Sequence, residues 1–519
     1  MTKTGRRHFQ ERGVPVTERI AQVPDWLARM RHSDALALRR ADEDLSFAQL
    51  YEWSLGLAWR LLAFGVSPGV RIAVLARDAR VFAVALHALR FARAVMVPVN
   101  VRLTPEEIAW QMDRADVRLA ICDKERAALW EATGFAQPAI VLSGEELRDL
   151  GKESRAGEPT GDGPARELER RAQRVYLADV QSIVFTSGTT GHPKGARITY
   201  ANHLYGAAAS AFRLGALPDD RWLTPLPLFH VGGQAVLMRC VMYGGAAVVH
   251  DAFDPAAVNR AIDRDGITLL SVVPNMLTRM LNERGDRPYP DTLRCVLLGG
   301  GAAPAPLMQE CLRRGLPVAA SYGLTEANSQ VATLHPAAAA HKAGSSGQAL
   351  AFAELRIVAE NGEQAAPFGE GEIAVRGLTV ADGYDRDPEG TAAAFRDGWL
   401  YTGDIGYLDD EGFLYVLDRR TDMIVSGGEN VYPAEVEAVL LAHPDVLEAG
   451  VVGVPDEQYG QAPLAVVRLR AAAPAPDLRA FCRLHLAAYK TPRHIRTVGE
   501  TLPRNASGKL LRKELRKWL

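Results

Sequence analysis

Twice along this chain a short, mostly apolar run gives way to a helical period and then to another apolar run, and that alternation restricts the fold more than any other feature. The first set comprises residues 70–75, a helix-spaced stretch over about 81–93, and residues 94–99. The second runs through 267–273, a helix near 276–283, then 295–298, a helix near 306–314, and 317–320. Strands without polar alternation are buried on both faces, and helices between them are the crossovers of a parallel sheet. An α/β class follows. After about Asp418 the texture changes. A helix over 434–442, strands over 449–454 and 463–469, and a helix over 478–488 with Asp477 as its N-cap predict a small α+β unit. The expected organisation is a large α/β body of several subdomains over 1–417 and a small mobile C-terminal domain over 418–519. The charged, Gly- and Pro-rich stretch 150–172 reads as a loop or linker. At 519 residues the chain is long enough for about two to four folding units.

Composition narrows the function classes. A hydrophobic content of 48%, a charged content of 24% and a formal net charge of −2 exclude a disordered chain and a nucleic-acid binder working through bulk positive charge. The five cysteines are scattered singly, so neither a zinc site nor a disulfide framework is expected, and a reducing, cytoplasmic setting is. Residues 231–249 are the most apolar window, but Arg239 near their middle argues for a buried segment rather than a membrane span. The first ~25 residues carry arginines without an apolar run, so they read as an extension rather than a signal peptide. The sequence leaves room for a homo-oligomer.

The densest chemical signal is Thr186-Ser187-Gly188-Thr189-Thr190-Gly191-His192-Pro193-Lys194-Gly195, which follows the apolar run 182–185. Glycines let backbone N–H groups converge, hydroxyls add donors and the lysine adds positive charge, as a polyphosphate cradle requires. The spacing is not that of a Walker A loop, because His192 and Pro193 separate Gly191 from Lys194. A flexible surface turn is the bland alternative.

This loop resembles the phosphate-binding signature of the adenylate-forming superfamily, which includes acyl-CoA synthetases, peptide-synthetase adenylation domains and luciferases. Further segments match in the same order. They are Leu226-Pro227-Leu228-Phe229-His230, Gly299-Gly300-Gly301-Ala302, Ser321-Tyr322-Gly323-Leu324-Thr325-Glu326, Tyr401-Thr402-Gly403-Asp404 and Asp418-Arg419-Arg420-Thr421-Asp422. Ser426-Gly427-Gly428-Glu429-Asn430-Val431-Tyr432-Pro433 and Pro503-Arg504-Asn505-Ala506-Ser507-Gly508-Lys509 complete the series. The resemblance spans about residue 36 to the C-terminus. It implies an adenylate-forming fold and an ATP-, Mg²⁺- and CoA-dependent enzyme acting on a small-molecule carboxylic acid.

Residue by residue, the resemblance assigns Thr186, Ser187, Gly188, Thr189, Thr190, Gly191 and Lys194 to the phosphates, with Thr190 and Glu326 at magnesium. Gly300, Gly301, Ala302, Tyr322 and Gly323 would meet the nucleotide, Tyr322 by stacking an exposed face on adenine. Thr325 would touch phosphate. Asp404 would accept from the ribose hydroxyls, and Arg419 would contact ribose or phosphate. His230, Ser321, Gly323 and Arg239 fall to the acid site, His230 also to catalysis. Asp418 would be the hinge, and Ser426, Gly427 and Gly428 the channel for the pantetheine arm. Taken alone, Tyr322 could equally be a core aromatic, Thr325-Glu326 a helix start, Asp404 a turn carboxylate, Asp418 a surface charge and each Gly-Gly pair a turn. Lys509 precedes a basic stretch over 510–519 that reads as a terminal helix. By itself it would be a solvated lysine. By resemblance it meets the acyl carboxylate and α-phosphate, where a charge pair at ~4 Å and effective dielectric 20 gives about 4 kcal/mol, roughly a thousandfold in rate.

Within the superfamily, several stretches look like the 2-succinylbenzoate–CoA ligases of menaquinone biosynthesis. These include Arg221-Trp222-Leu223, Gly412-Phe413-Leu414-Tyr415-Val416-Leu417 and the ending Leu502-Pro503-Arg504-Asn505-Ala506-Ser507-Gly508-Lys509. A buried arginine is costly unless paired. Arg239 would therefore meet either an internal acid or the second carboxylate of such a substrate. Two departures concern the acid pocket: Val231 stands where the subgroup has serine, and Gly344-Ser345-Ser346-Gly347-Gln348 lacks a following Lys-Pro. Other aryl- or fatty-acid–CoA ligases are the nearest alternative. A dinucleotide oxidoreductase is disfavoured because the glycine run 299–301 lacks the dinucleotide fingerprint.

Overall fold

The computed structural model describes residues 22–41, 43–156, 164–186, 193–300, 305–359, 361–418, 424–431, 433–470, 477–503 and 512–518. Both strand–helix alternations form parallel sheets. A six-stranded sheet runs in the order Lys194–Thr199, Val180–Thr186, Val95–Pro98, Arg71–Leu75, Val117–Asp123, Ala139–Leu142, and only its first pair is antiparallel. A nine-stranded sheet has a parallel centre of Val318–Leu324, Cys295–Leu298, Leu269–Val272, Arg221–Thr224, Ala246–Val249 and Leu36–Arg40. Antiparallel strands flank that centre on both sides.

The helix Ala79–Ala92 explains how the two sheets share a core. Every residue in it except Arg80 is buried. One apolar cluster joins Phe82 and Leu86 of this helix to Ile72 and Val74 of the first sheet and to Trp222, Val249 and Leu269 of the second. A helix buried nearly all round needs partners on every side, which two sheets supply. Its start is capped by Asp78, whose side chain accepts from the Arg80 backbone N–H at 2.8 Å. Its one buried guanidinium, Arg90, pairs with buried Asp25.

The described residues within 150–172 depart from the expected loop. Helices cover Gly144–Ala156 and Pro164–Ala172, and Leu147, Leu150, Leu168 and Ala172 are buried in the central cluster. Few apolar residues suffice to anchor these helices, and the dense charge on their outer faces hid the period. The apolar window 231–249 is a buried helix, Val231–Tyr243, and a buried strand, Ala246–Val249. Among the described residues no helix is long and apolar enough to cross a membrane.

A five-stranded antiparallel sheet ends with Leu414–Asp418, whose last residue pairs with Ile405. The next described strand, Ile424–Ser426, belongs to a different sheet, together with Glu429–Val431, Val446–Asp456, Gly460–Leu469 and His494–Val498. Helices Pro433–Ala442 and Leu478–His485 pack on it around Val436, Leu440, Val451, Val467 and Cys482. Asp477 caps the second helix through the Ala480 N–H at 2.9 Å. The change of sheet falls at the composition change near Asp418.

Candidate active site

A cavity of ≈ 930 Å³ opens where the parallel strands end. Thr186, Ser271, Val272 and Gly299 line it, each at or next to the carboxyl end of a strand, the place where open α/β sheets bind ligands, and so does Ser321, just past the parallel-paired part of its strand. Gly427, Gly428 and Glu429 of the C-terminal domain line its other side. The cavity gathers Thr186, Lys194, His230, Arg239, Gly300, Ser321, Gly323, Thr325, Glu326 and Asp404, residues spread over more than two hundred positions of sequence.

The hydroxyl-rich loop caps a hairpin: Val180–Thr186 pairs antiparallel with Lys194–Thr199, and Thr186 faces Lys194 in register. Ser187, Gly188, Thr189, Thr190 and Gly191 lie outside the described residues, as do Gly301, Ala302, Arg419 and Lys509. The Thr186 hydroxyl is 3.4 Å from Glu326 Oε1, to which the Tyr384 hydroxyl donates at 3.0 Å. Burial pushes the Glu326 carboxyl above its ordinary value. Hydrogen bonds from its own backbone, Tyr384 and Thr186 work against that, and the Asp404 charge reinforces it. A carboxylate so placed, with hydroxyls beside it and a second carboxylate nearby, is an all-oxygen donor set short of positive charge, which suits a hard divalent cation.

Asp404 is fixed from two sides. The Tyr322 hydroxyl donates to its Oδ2 at 2.7 Å, and its backbone N–H donates to Thr402 Oγ1 at 3.1 Å. The Tyr322 ring is 4% exposed and packs with Ala327, Val331 and Val375. The open aromatic face expected from the sequence is therefore covered here, and what the tyrosine contributes is its grip on Asp404. Gly323 is required sterically: a Cβ there would lie 1.5 Å from the Ser329 carbonyl oxygen. Ser321 is turned to its own sheet, donating to the Ala332 carbonyl at 3.0 Å and lying 2.9 Å from Thr333 Oγ1.

Arg239 sits on the buried helix with 3% exposure, its guanidinium 5.6 Å from the Trp222 ring centroid. Among the described residues no carboxylate lies within ion-pair distance, so the internal acid that the sequence allowed is not found. Burial lowers its pKa. The neighbouring His203 is pushed down to about 3, by burial first and by the Arg239 charge second, and so adds no second cation. The cavity thus presents a desolvated guanidinium without an anion.

On the C-terminal side, Gly427 has φ +60° and a Cβ there would meet the Tyr459 ring at 2.8 Å. Ser426 is buried and pairs with Glu429 across the turn. Glu429 was not singled out by sequence, yet its Oε2 lies 2.8 Å from His230 Nε2 and its Oε1 accepts from Arg102 at 2.7 Å. Burial raises this carboxyl's pKa, but the charges of His230, Arg102 and Lys490 and the His230 hydrogen bond outweigh burial and hold it below its ordinary value. Arg102 and Tyr384 carry no local motif. Glu429 stood inside a recognised motif, where its charge beside two glycines was the available signal.

The AMP-binding enzyme family matches residues 25–385, and the AMP-binding enzyme C-terminal domain matches residues 435–509. The 2-succinylbenzoate–CoA ligase of Geobacillus kaustophilus is 47% identical over 96% of this chain and 98% of its own. Two solved structures of o-succinylbenzoate CoA synthetase from Bacillus subtilis are each 38% identical. A double mutant bound to the product analogue OSB-NCoA has a TM-score of 0.87 over 96% of this chain and 99% of its own. The complex with the acyl-adenylate intermediate OSB-AMP has a TM-score of 0.71 over 95% and 98%. The chain belongs to the AMP-binding enzyme family, the adenylate-forming superfamily.

Proposed function

We propose that this chain is an AMP-forming acid–thiol ligase that converts 2-succinylbenzoate to 2-succinylbenzoyl-CoA, a step of menaquinone biosynthesis. One observation carries the choice of acid: the buried, unpaired Arg239 guanidinium in the cavity. A dicarboxylic acid can leave one carboxylate on Arg239 and offer the other for activation, whereas a fatty acid or benzoate leaves a desolvated charge unanswered. The match to the Geobacillus ligase supports the same acid.

The free carboxylate oxygen attacks the α-phosphorus of ATP, the bond to the β,γ-diphosphate breaks, and pyrophosphate departs, leaving an acyl-adenylate. The thiol of CoA then attacks the acyl carbon as it gives up its proton, and AMP leaves. Such chemistry depends on positioning and charge neutralisation. Thr186 and Lys194 flank the phosphate loop, Asp404 presents acceptors to ribose, and Tyr322 keeps that carboxylate aimed. Glu326, with Thr190 from the loop, would hold Mg²⁺, which when bound neutralises phosphate charge. Lys509 would serve the first step, and the Gly427-Gly428 turn would admit pantetheine for the second, after rotation about Asp418.

The test is acid-dependent pyrophosphate exchange with 2-succinylbenzoate, benzoate, a coumarate-like acid and octanoate, with and without CoA. Preference for 2-succinylbenzoate with CoA-dependent AMP release is expected; preference for benzoate or octanoate would overturn the acid and leave the reaction class standing.

A further inference from the structure

The C-terminal domain is tied to the body at a second place, where Tyr489 and Lys490 also reach the cavity wall. Lys490 follows the helix Leu478–His485 and is 4% exposed. Its ammonium lies 2.7 Å from Glu435 Oε1, on the C-terminal helix Pro433–Ala442, and 3.0 Å from Glu107 Oε1, on the body helix Pro105–Arg114. The adjoining residues belong to the same seam. Ala487 is buried within the body's apolar cluster, Tyr489 packs against that cluster and the C-terminal one, and the Tyr489 hydroxyl accepts from Asn100 at 3.1 Å.

The two carboxylates differ in what they can do. Glu435 moves with Lys490 in any rotation of the C-terminal domain, so it neutralises the ammonium in every orientation. Glu107 belongs to the body and reaches Lys490 only in the orientation seen here. Glu107 is also held in place locally: its Oε2 accepts from the Thr104 N–H at 2.9 Å in a capping box. A desolvated charge pair that forms in one of two arrangements biases their populations by its full differential strength.

We propose that Lys490 is a positioning residue for thioester formation, acting through Glu107 to hold the C-terminal domain where Gly427 and Gly428 line the cavity. The inference rests on the two-step reaction proposed above. It predicts that the interdomain half of this bridge serves the CoA step and is absent from the adenylation step.

The test uses the full chain with Glu107→Gln, Lys490→Met and Lys490→Arg. Glu107→Gln removes the interdomain charge while its amide oxygen still caps Thr104, and it leaves Lys490 with Glu435. Two rates are read: acid-dependent pyrophosphate exchange, and single-turnover transfer of preformed acyl-adenylate to CoA. At least a tenfold loss of transfer with exchange within twofold is expected for Glu107→Gln and Lys490→Met, with recovery of transfer in Lys490→Arg. Equal loss in both rates for Glu107→Gln, or loss in neither, overturns the proposal even if Lys490→Met fails to fold. Rates are taken with the acid the wild type uses best, so a wrong acid shows in the wild type and a wrong bridge only in the variants.

Discussion

His230 Nε2 and Glu429 Oε2 stand 2.8 Å apart across the boundary between the body and the C-terminal domain, and Arg102 holds the other oxygen of the same carboxylate. The histidine that the family motif places at the acid is thereby engaged by the C-terminal domain, which rotates in the proposed two-step reaction. Removing the carboxylate deletes two charge-assisted hydrogen bonds, each of a kind that contributes about 1.5–3 kcal/mol, part of which water restores to the half-exposed Arg102 and His230. Glu429→Ala should slow acyl transfer to CoA roughly ten- to a hundredfold and leave pyrophosphate exchange within about threefold, measured as separate half-reactions.

The same carboxylate sets an acid limit. Its pKa is raised by burial but brought net below the ordinary value by His230, Arg102 and Lys490. A depressed carboxyl contributes stability above its unfolded pKa and loses it as pH falls through the folded one. Hydrogen exchange of residues 424–431 should therefore stay protected through the usual carboxylate range and rise only below it. Protection lost already near pH 5 would contradict this assignment.

Glu326 has the opposite sign. Burial, reinforced by Asp404, raises its pKa, so the ligand-free protein gains stability on protonation, as pH falls through the raised value toward the ordinary one. Glu326→Gln should raise the ligand-free melting temperature at pH 8 by about 1–2 °C, flatten its pH dependence, and abolish the further rise given by Mg-ATP. Thermal scans with and without Mg-ATP check both arms. A lower melting temperature in the ligand-free variant would mean that the charge is not the costly element of this site.

The backbone scaffold was legible because it rests on local periodicity. Residues 295–298 are a fully buried strand of four, and Asp477 caps the helix it was expected to cap. The stretch 150–172 misled because Leu150, Leu168 and Ala172 provide its apolar burial, and charge and proline obscure so sparse a period. The site was legible where motifs are contiguous. Glu429 meets His230 across 199 positions and Arg102 across 327, separations at which no spacing rule operates. Arg239 is intermediate: its burial was readable from the apolar run, but only the fold could show that no acid answers it.

Tyr322 and Asp404 offer a smaller test of nucleotide positioning. Tyr322→Phe deletes a 2.7 Å hydrogen bond to the carboxylate and keeps the ring within its apolar cluster. A bond to a charged group contributes about 1.5–3 kcal/mol, part of which water can restore to Asp404 at the cavity wall. The KM for ATP should rise about three- to tenfold, with the KM for the acid unchanged. Equal effects on both would mean that the tyrosine acts on the fold rather than on the ribose site.

Arg239 gives the most discriminating prediction, because stability and activity should move apart. The buried guanidinium pays desolvation with no carboxylate in return, so Arg239→Met, which keeps the length of the side chain, should leave the melting temperature unchanged or raise it. In the complex, the same charge would meet a carboxylate in a dry site, where losing one partner costs about 2–5 kcal/mol. The KM for 2-succinylbenzoate should then rise at least thirtyfold. Turnover of a monocarboxylic aryl acid, poor in the wild type, should hold or improve, since the variant no longer strands a cation. An unchanged KM for 2-succinylbenzoate would remove Arg239 from the acid site, and a fall in both stability and turnover of every acid would make it a structural residue.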